Sequence, residues 1–410
     1  MAVDVFDPGI FAAGVPHEAL HRLRDHDPVS WQDEHPIGDW PAGPGFWAVT
    51  RYADVRHVLR SPQLFSSHTG ATQIRDPEPE DLPSHQRMIL NMDPPEHQRL
   101  RRLVTGAFTR RRLKTFAGRI AARAAVAVDS VIADGGCDLP VALTDEFPLA
   151  NLAELLGVPE DEQHLLKTWT DRVIGYQDPE HGQLVRDSSG KPVNPRSPAM
   201  LGEMFDYASS LAERKRVHPA DDVMTALVTA RVEGERLGED ELRMFFFLLT
   251  IAGNDTVRSA LPGGVLALLE HPQAHRRLLA EPELLDSAIE EMLRWHPPVL
   301  TFRRTATTDT EIGGHRIAAG EKVVVYHISA HYDERAFTEP FSFDIARTPN
   351  EHMAFGQGPH RCLGSTFARM QLRAFFSEFL PRLPALRLSG SPVRLTSNFI
   401  NGISHLPLSW

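Results

Sequence analysis

The segment 239–269 constrains the fold of this chain more than any other part of the sequence. Its apolar residues recur every three or four positions and surround almost the whole circumference of the predicted helix. A helix that is apolar on all sides must be covered by other elements, so we expect it near the centre of the molecule. With 410 residues, of which 42% are hydrophobic, the chain can bury a core of that kind.

Helical periodicity also dominates the rest of the sequence, whereas β-like segments are short and few. The pattern predicts helices over 97–116, 120–133, 201–216, 284–295 and 365–380, and strands over 46–50, 311–317 and 322–326. A further strand pair is expected to flank Asn401-Gly402. We therefore predict a mainly α protein with small β-sheets (α+β). Because no stretch has the composition of a linker, a single domain over residues 1–410 is expected.

Two polar segments, 66–90 and 177–198, are predicted to be long loops. Loops of this length in a compact domain are usually lids or binding loops. Tolerated surface insertions have the same composition, so both interpretations stay open on the sequence alone.

Charge and cysteine content argue against several classes of protein. The formal net charge of -11 does not suit nucleic-acid binding, which needs a basic face. The two cysteines, Cys137 and Cys362, lie far apart and suggest neither a disulfide framework nor a Cys-based zinc site. The first residues do not form a signal peptide, and the most apolar stretch, 244–252, is far shorter than the roughly 20 residues that span a bilayer. We expect a cytoplasmic protein without a membrane span.

The stretch FGQGPHRCLG at 355–364 contains the strongest candidate site. A helical pattern that begins near Leu363 places Cys362 at a helix N-terminus, where the macrodipole and free N–H groups favour a thiolate. Gly356 and Gly358 allow a tight turn close to the sulfur, and Phe355 would shield it from water. A lone cysteine is more often a buried structural residue, so it is this setting that favours a metal ligand. Cys137 has no such setting and is interpreted as incidental.

The pattern F-G-x-G-x-H-x-C-x-G resembles the haem-ligand signature of the cytochrome P450 family, and every fixed position is present. The resemblance implies the cytochrome P450 fold, with the long central helix over a haem b whose iron is bound by Cys362. It also implies that haem is contacted by the signature residues Phe355, His360 and Gly364.

Further motifs extend the resemblance over nearly the whole chain. His97 and Arg101 are four residues apart on a predicted helix and share a face. The resemblance implies that this pair, with Arg304 in an R-x-A pattern, binds the haem propionates. Glu291 and Arg294 match the family's buried E-x-x-R pair. Relatives often complete that network with an arginine in a P-x-R-F motif, but this chain has PFSF at 340–343, so Arg347 or no residue completes it.

The sequence AGNDT at 252–256 interrupts the apolar central helix. A threonine hydroxyl can bond back to the preceding turn, so the segment by itself fits a polar kink or a helix end. It resembles the family's oxygen-activation motif. The resemblance implies that Ala252 and Gly253 border the haem, that Thr256 holds a hydrogen-bond network for oxygen activation, and that Asp255 relays protons. Pro262 in the same helix would add a second kink.

A basic cluster suggests how electrons arrive, although a solvated helix face has the same pattern. It consists of Arg99, Arg102, Arg110, Arg111, Arg112 and Lys114. The resemblance implies electrons from NAD(P)H through an external ferredoxin reductase and ferredoxin, because no reductase domain is expected in this chain.

The substrate pocket is expected to be formed by segments 66–90, 169–198, 244–248, 298–302 and 397–400. Its candidate lining is apolar and implies a hydrophobic substrate: Met88, Leu90, Leu248, Val299, Leu300 and Phe399. The runs GATQI at 70–74 and NMDPP at 91–95 look like bacterial members that hydroxylate sterol side chains or methyl-branched lipids. The alternative is a tailoring hydroxylase of secondary metabolism that acts on a carrier-protein-bound amino acid or acyl group.

Functions outside hydroxylation also stay open at the level of sequence. A non-oxygenating haem-thiolate sensor would bind haem through Cys362 but would consume no oxygen with redox partners. A haem-thiolate isomerase, dehydratase or peroxygenase would need no ferredoxin. A helical binding protein without a cofactor is the remaining alternative, and the motif at 355–364 argues against it.

Overall fold

The computed structural model describes residues 3–37, 41–174 and 198–410. Helices form most of it, because helical periodicity dominates the sequence. The α-helices of these residues are α1 (Pro8–Ala12), α2 (His17–His26), α3 (Tyr52–Arg60), α4 (Leu82–His85), α5 (Glu96–Thr105), α6 (Arg110–Leu113), α7 (Ala117–Ile132), α8 (Glu146–Leu156), α9 (Gln163–Ile174), α10 (Pro198–Val217), α11 (Val223–Thr229), α12 (Glu239–Glu270), α13 (Pro272–Ala280), α14 (Leu285–Trp295), α15 (His327–Ala330) and α16 (Ser365–Arg382).

The strands are short, as the sequence predicts. They are β1 (Val29–Gln32), β2 (Phe46–Val49), β3 (Phe65–Ser66), β4 (Gly136–Asp138), β5 (Thr301–Ala306), β6 (Thr310–Ile312), β7 (His315–Ile317), β8 (Lys322–Tyr326), β9 (Arg387–Leu388), β10 (Val393–Arg394), β11 (Ile403–His405) and β12 (Pro407–Ser409). The largest sheet has the order β1-β2-β8-β5-β3, with only β2 and β8 parallel. It brings Arg303 and Arg304 of β5 opposite Val324 and Val323 of β8.

Helix α12 is the centre of the helical layer, as its apolar circumference predicts. It packs against α8, α9, α10, α13, α14 and α16. Phe246 and Leu261 are fully buried on it, and each such side chain contributes roughly 1.5–3 kcal/mol through burial. The helix continues past the buried Pro262 to Glu270. Within the described parts of the chain, no helix has both the length and the hydropathy to cross a membrane.

Several predicted boundaries are wrong, and each has a local cause. After α5 the chain continues as a short 3-10 helix, Gly106–Phe108, and the predicted helix 97–116 is divided at Thr109. The Thr109 backbone is extended, and its side chain caps the next helix by accepting from the Arg112 N–H. The predicted strand 311–317 is a hairpin. Gly313 and Gly314 turn it with φ of 56° and 86°, values that favour glycine.

The two predicted loops and the terminal strand pair have different outcomes. Segment 66–90 is mostly irregular but contains α4. Of segment 177–198, only Pro198 is within the described residues, so the prediction of a loop there lies outside them. The strands that flank Asn401-Gly402 are β10 and β11, which pair through Arg394 and Ile403, so the connection is longer than a tight Asn-Gly turn.

The fully buried carboxylate of Glu291 is the centre of a charge cluster. Both of its oxygens accept from Arg294, at 2.8 Å each. Arg347 donates from Nε at 3.1 Å, and Asn350 donates from Nδ2 at 3.1 Å. The expectation that Arg347 completes this network is therefore confirmed. Because a buried charge is costly without partners, the cluster fixes α14 against segment 339–350.

We predict that Glu291→Gln destabilises the protein by about 3–5 kcal/mol, because it leaves two buried guanidinium groups without their carboxylate. The measurement is the free energy of unfolding in urea, followed by circular dichroism. Glu281→Gln is the matched control, since Glu281 forms a solvent-exposed pair with Arg277 and should leave the midpoint unchanged. Equal effects of the two substitutions would contradict the structural role of the buried cluster.

Candidate active site

A cavity of about 570 Å³ lies between α12 and the loop 355–364. On the α12 side it is lined by Ala252, Gly253, Asp255 and Thr256, and on the loop side by Phe355, His360, Cys362 and Gly364. The fold therefore brings the two strongest sequence motifs to opposite walls of one cavity.

The loop that carries Cys362 is held in a closed turn by its own backbone. The Cys362 N–H donates to the Phe355 carbonyl at 2.8 Å. Gly356 and Gly358 both have positive φ, near 68° and 69°. A side chain at Gly358 would also collide with the Leu59 carbonyl, 2.4 Å from the position of a Cβ atom. These two glycines are therefore needed for backbone geometry.

Cys362 lies deep in the fold, and its exposed surface faces the cavity. Helix α16 begins at Ser365, two residues later than predicted, so Cys362 lies just before the N-terminus of the helix. Burial raises the pKa of the Cys362 thiol, while a hydrogen bond from the Gly364 backbone and the charges of Arg101 and Arg369 lower it. A bound metal cation would outweigh the effect of burial and hold the sulfur as a thiolate.

Cys137 has a different environment from Cys362. It belongs to β4, opposite Leu408 of β12, and burial raises the pKa of its thiol to about 11. Its thiol is therefore unreactive at neutral pH, in agreement with the interpretation that it is incidental.

Four basic side chains line one region of the cavity: His97, Arg101, Arg304 and His360. The His97 and His360 rings lie 4.2 Å apart. Burial, with the neighbouring arginine charges, lowers the pKa of His97 to about 4 and that of His360 to about 2. Both imidazoles are therefore neutral at physiological pH.

Arg304 is a buried cation that has no carboxylate ion-pair partner among the described residues. Its side chain is 3% exposed and donates to the Arg303 carbonyl at 2.7 Å. Burial lowers the pKa of the guanidinium to about 10, so it keeps its charge. A buried arginine of this kind suits an anionic ligand group. With the thiol of Cys362, these side chains fit a haem, which has two carboxylates and an iron that accepts a thiolate.

The polar residues of α12 connect the cavity to a row of charged side chains. The Thr256 hydroxyl donates to the Ala252 carbonyl at 2.9 Å, which is the back-bonding predicted from the sequence. Asp255 is 5% exposed, and its carboxylate lies 3.9 Å from Arg258 Nη1. Arg258 Nε in turn lies 2.6 Å from Asp145, whose side chain is partly exposed.

Five of the six predicted substrate-pocket residues line the cavity: Met88, Leu90, Leu248, Val299 and Phe399. Leu300 does not. It is 1% exposed and packs in a separate core cluster with Phe46 and Tyr326. The reason is that neighbouring side chains in an extended segment point to opposite sides.

Part of the cavity wall was not predicted from the sequence. It includes the segment that contains Pro41 and Gly43, and also Leu152 and Gln371. The composition PAGPG at 41–45 indicates a loop, which is a weak signal for a pocket edge. Leu152 and Gln371 resemble ordinary core positions of helices and gave no signal.

Known proteins are similar to this chain over most of its length. The model of the family Cytochrome P450 matches residues 203–399. A steroid C26-monooxygenase of Mycolicibacterium smegmatis is 35% identical over 408 residues, which cover 98% of this chain and 92% of that protein. A methyl-branched lipid omega-hydroxylase of Mycobacterium bovis is 38% identical over 401 residues, covering 95% and 91%.

The solved structures include Mycobacterium marinum cytochrome P450 CYP268A2 in complex with pseudoionone. It superposes with a TM-score of 0.87 at 37% identity and covers 100% of this chain and 99% of its own. Identity and coverage of this extent show the family. The chain belongs to the cytochrome P450 family and is a haem-dependent monooxygenase that hydroxylates a hydrophobic substrate with electrons from redox partners.

Proposed function

We propose that this enzyme hydroxylates the end of a branched aliphatic chain, on a sterol or a methyl-branched lipid. The observation that carries the proposal is the distribution of polarity in the cavity wall. Besides Arg101, Arg304 and Asp255, the acidic and arginine side chains in the cavity wall are Glu34, Arg75, Asp76 and Glu78. The surfaces contributed by segments 88–90, 245–252 and 298–302 are mainly apolar.

An amphipathic substrate matches this distribution. Its polar group would lie beside Glu34 and residues 75–78, and its apolar chain would extend toward Thr256 and Cys362. Oxidation would then fall at the apolar end. The activities of the steroid C26-monooxygenase and the methyl-branched lipid omega-hydroxylase, as their names state them, support the same assignment.

The roles of the site residues are part of the proposal. Haem b, when bound, supplies the redox chemistry that activates dioxygen. Cys362 would ligate its iron, and Phe355 and Gly364 would border that ligand. The four basic side chains would bind the propionates: His97, Arg101, Arg304 and His360. Ala252 and Gly253 would face the opposite side of the macrocycle.

Proton delivery is assigned to α12. Thr256 would turn its hydroxyl from the Ala252 carbonyl into the cavity to hold a proton at the reacting oxygen. Arg258, held by the partly exposed Asp145, would orient the Asp255 carboxylate, and that carboxylate would take up protons from solvent and pass them to Thr256. An acid and an alcohol in adjacent positions favour true monooxygenation over peroxide-driven chemistry.

Electrons are proposed to come from NAD(P)H through a ferredoxin reductase and a ferredoxin. The predicted basic cluster divides into two groups in the structure. Arg99 pairs with Glu96 and Glu241, and Arg112 donates to the Asp222 carbonyl. The other four are exposed and carry the attraction for an acidic partner: Arg102, Arg110, Arg111 and Lys114. We also propose that residues 1–410 form one catalytic domain that acts in the cytoplasm.

The substrate assignment is tested by binding and product analysis with a sterol that has an intact branched side chain. We expect a substrate-induced shift of the Soret band and hydroxylation at the end of the side chain. The control is the same ring system without the side chain, which should bind at least tenfold more weakly because it leaves apolar wall uncovered. A methyl-branched fatty acid and a carrier-protein-bound acyl group complete the panel. Turnover of the carrier-bound substrate alone would contradict the proposal and favour a tailoring hydroxylase.

Thr256→Ala should uncouple electron use from product formation. We expect product formation to fall about 10²-fold while NAD(P)H consumption continues, because the proton-holding hydroxyl is lost. Peroxide release and product are measured together in the reconstituted system. Thr250→Ala, a buried threonine on the same helix that does not line the cavity, should keep its coupling. Loss of coupling in both variants would exclude a specific role for Thr256.

Arg102→Glu should weaken the interaction with ferredoxin. The expected result is about a tenfold higher KM for ferredoxin at low salt, with the difference shrinking as salt screens the charges. Arg316→Glu in the β6–β7 hairpin makes the same charge change at an exposed position and should leave the KM unchanged. A salt-independent KM in the wild-type enzyme would argue against this surface.

A further inference from the structure

Glu290, the neighbour of Glu291 on α14, organises a second charge cluster that the proposed chemistry does not use. Its two carboxylate oxygens accept from Arg369 of α16, from Nε at 2.6 Å and from Nη2 at 2.7 Å. His352 Nε2 lies 3.0 Å from the same carboxylate. Two parallel bonds of this kind fix the plane of a guanidinium group, so Arg369 has a defined orientation.

Glu290 is the acid of this cluster. Burial raises the pKa of Glu290, but hydrogen bonds from Arg369 and His352 bring it down to about 2. The carboxylate is therefore ionised at physiological pH, and it faces a permanently charged guanidinium.

The oriented guanidinium lies on the aromatic ring that borders the candidate iron ligand. Arg369 Cζ is 4.3 Å from the centroid of Phe355, within the range of a cation–π contact. Phe355 lines the cavity, whereas Arg369 does not, so the ring separates the cation from the cavity. The Phe355 carbonyl also accepts from the Cys362 N–H, which joins the ring to the residue that carries the sulfur.

His352 attaches the same cluster to the start of the loop. Its Nδ1 accepts from the Ala354 N–H at 3.2 Å, and its side chain is almost completely buried. The cluster thus contacts two consecutive residues: His352 binds the Ala354 N–H, and Arg369 packs on the Phe355 ring. A displacement of Glu290 would move Arg369 and the loop together.

We propose that Glu290 and His352 position Arg369 on the Phe355 ring so that its charge stabilises the Cys362 thiolate and sets the reduction potential of the haem iron. The inference rests on Cys362 as the iron ligand, which is part of the proposed function. A positive charge beside the ligand opposes electron donation to iron and favours the ferrous state. Arg369 is a positioning residue in this scheme, because it acts through Phe355 and the thiolate.

Helix α16 provides a matched control one turn further along. Arg373 pairs with Asp286 of α14, so it repeats the α14–α16 ion pair of Arg369 with Glu290. Within the described part of the chain, no aromatic ring lies beneath the Arg373 guanidinium. Substitution at the two positions therefore removes the same charge from the same pair of helices. The Arg373 pair is more exposed and has one hydrogen bond where Arg369 has two, and it lacks the contact with Phe355.

The experiment is a spectroelectrochemical titration of the purified holoenzyme and its variants. Arg369→Gln should make reduction harder, with a roughly fivefold lower equilibrium constant, as expected for one charge in a protein-like dielectric. Arg369→Lys should recover part of this loss, since it keeps the charge but cannot bind both oxygens of Glu290 in a fork. Arg373→Gln should leave the potential at the wild-type value.

Two results of the titration would contradict a role for Arg369. An unchanged potential in Arg369→Gln, or an equal shift in Arg373→Gln, would overturn the inference. Full recovery in Arg369→Lys would show that charge alone acts, without positioning by Glu290. Should Arg369→Gln fail to bind haem, the comparison of Arg369→Lys with Arg373→Lys carries the test. A wild-type ferrous–CO band at the position of a non-thiolate haem would instead overturn the proposed function.

Discussion

The buried contact between Glu291 and Arg294 is the interaction on which the rest of the site depends. Arg294 Nη1 donates to the His331 carbonyl at 2.8 Å, and the His331 ring lies 2.9 Å from the Arg294 carbonyl. The second nitrogen of that ring accepts from the Met353 N–H at 2.7 Å. Met353 in turn accepts from the Gly356 N–H. A chain of buried hydrogen bonds therefore extends from α14 to the loop of Cys362, where it fixes the backbone that carries the sulfur.

The cavity depends on this scaffold from one side and on α12 from the other. Helix α12 presents Ala252 and Thr256 toward the loop, and the large sheet contributes the buried Arg304. A helix that is apolar on all sides is buried at the centre of the fold. A strand inside a sheet can bury a cation such as Arg304 only where an anionic group compensates its charge. The result is a thiol, a set of basic side chains and an acid–alcohol pair around one cavity.

The sequence was sufficient for the parts of this arrangement that are local. The loop of Cys362 and the α12 motif were predicted because their residue types and spacing are needed for their geometry, as the positive φ of Gly358 shows. Contacts between distant residues were not predictable in the same way. The pair of Glu290 with Arg369 joins two helices, and the orientation of Leu300 depends on which side of the chain meets the sheet. Helix breaks such as that at Thr109 depend on capping by one or two residues.

The central claim is that Cys362 is the thiolate ligand of a haem iron. The most direct measurement is the absorption difference spectrum of the dithionite-reduced protein with and without carbon monoxide. A strongly red-shifted Soret band is predicted for the wild type and for Cys137→Ser, and it should be lost in Cys362→Ser. A shifted band that survives Cys362→Ser, or a wild-type band at the unshifted position, would contradict the account.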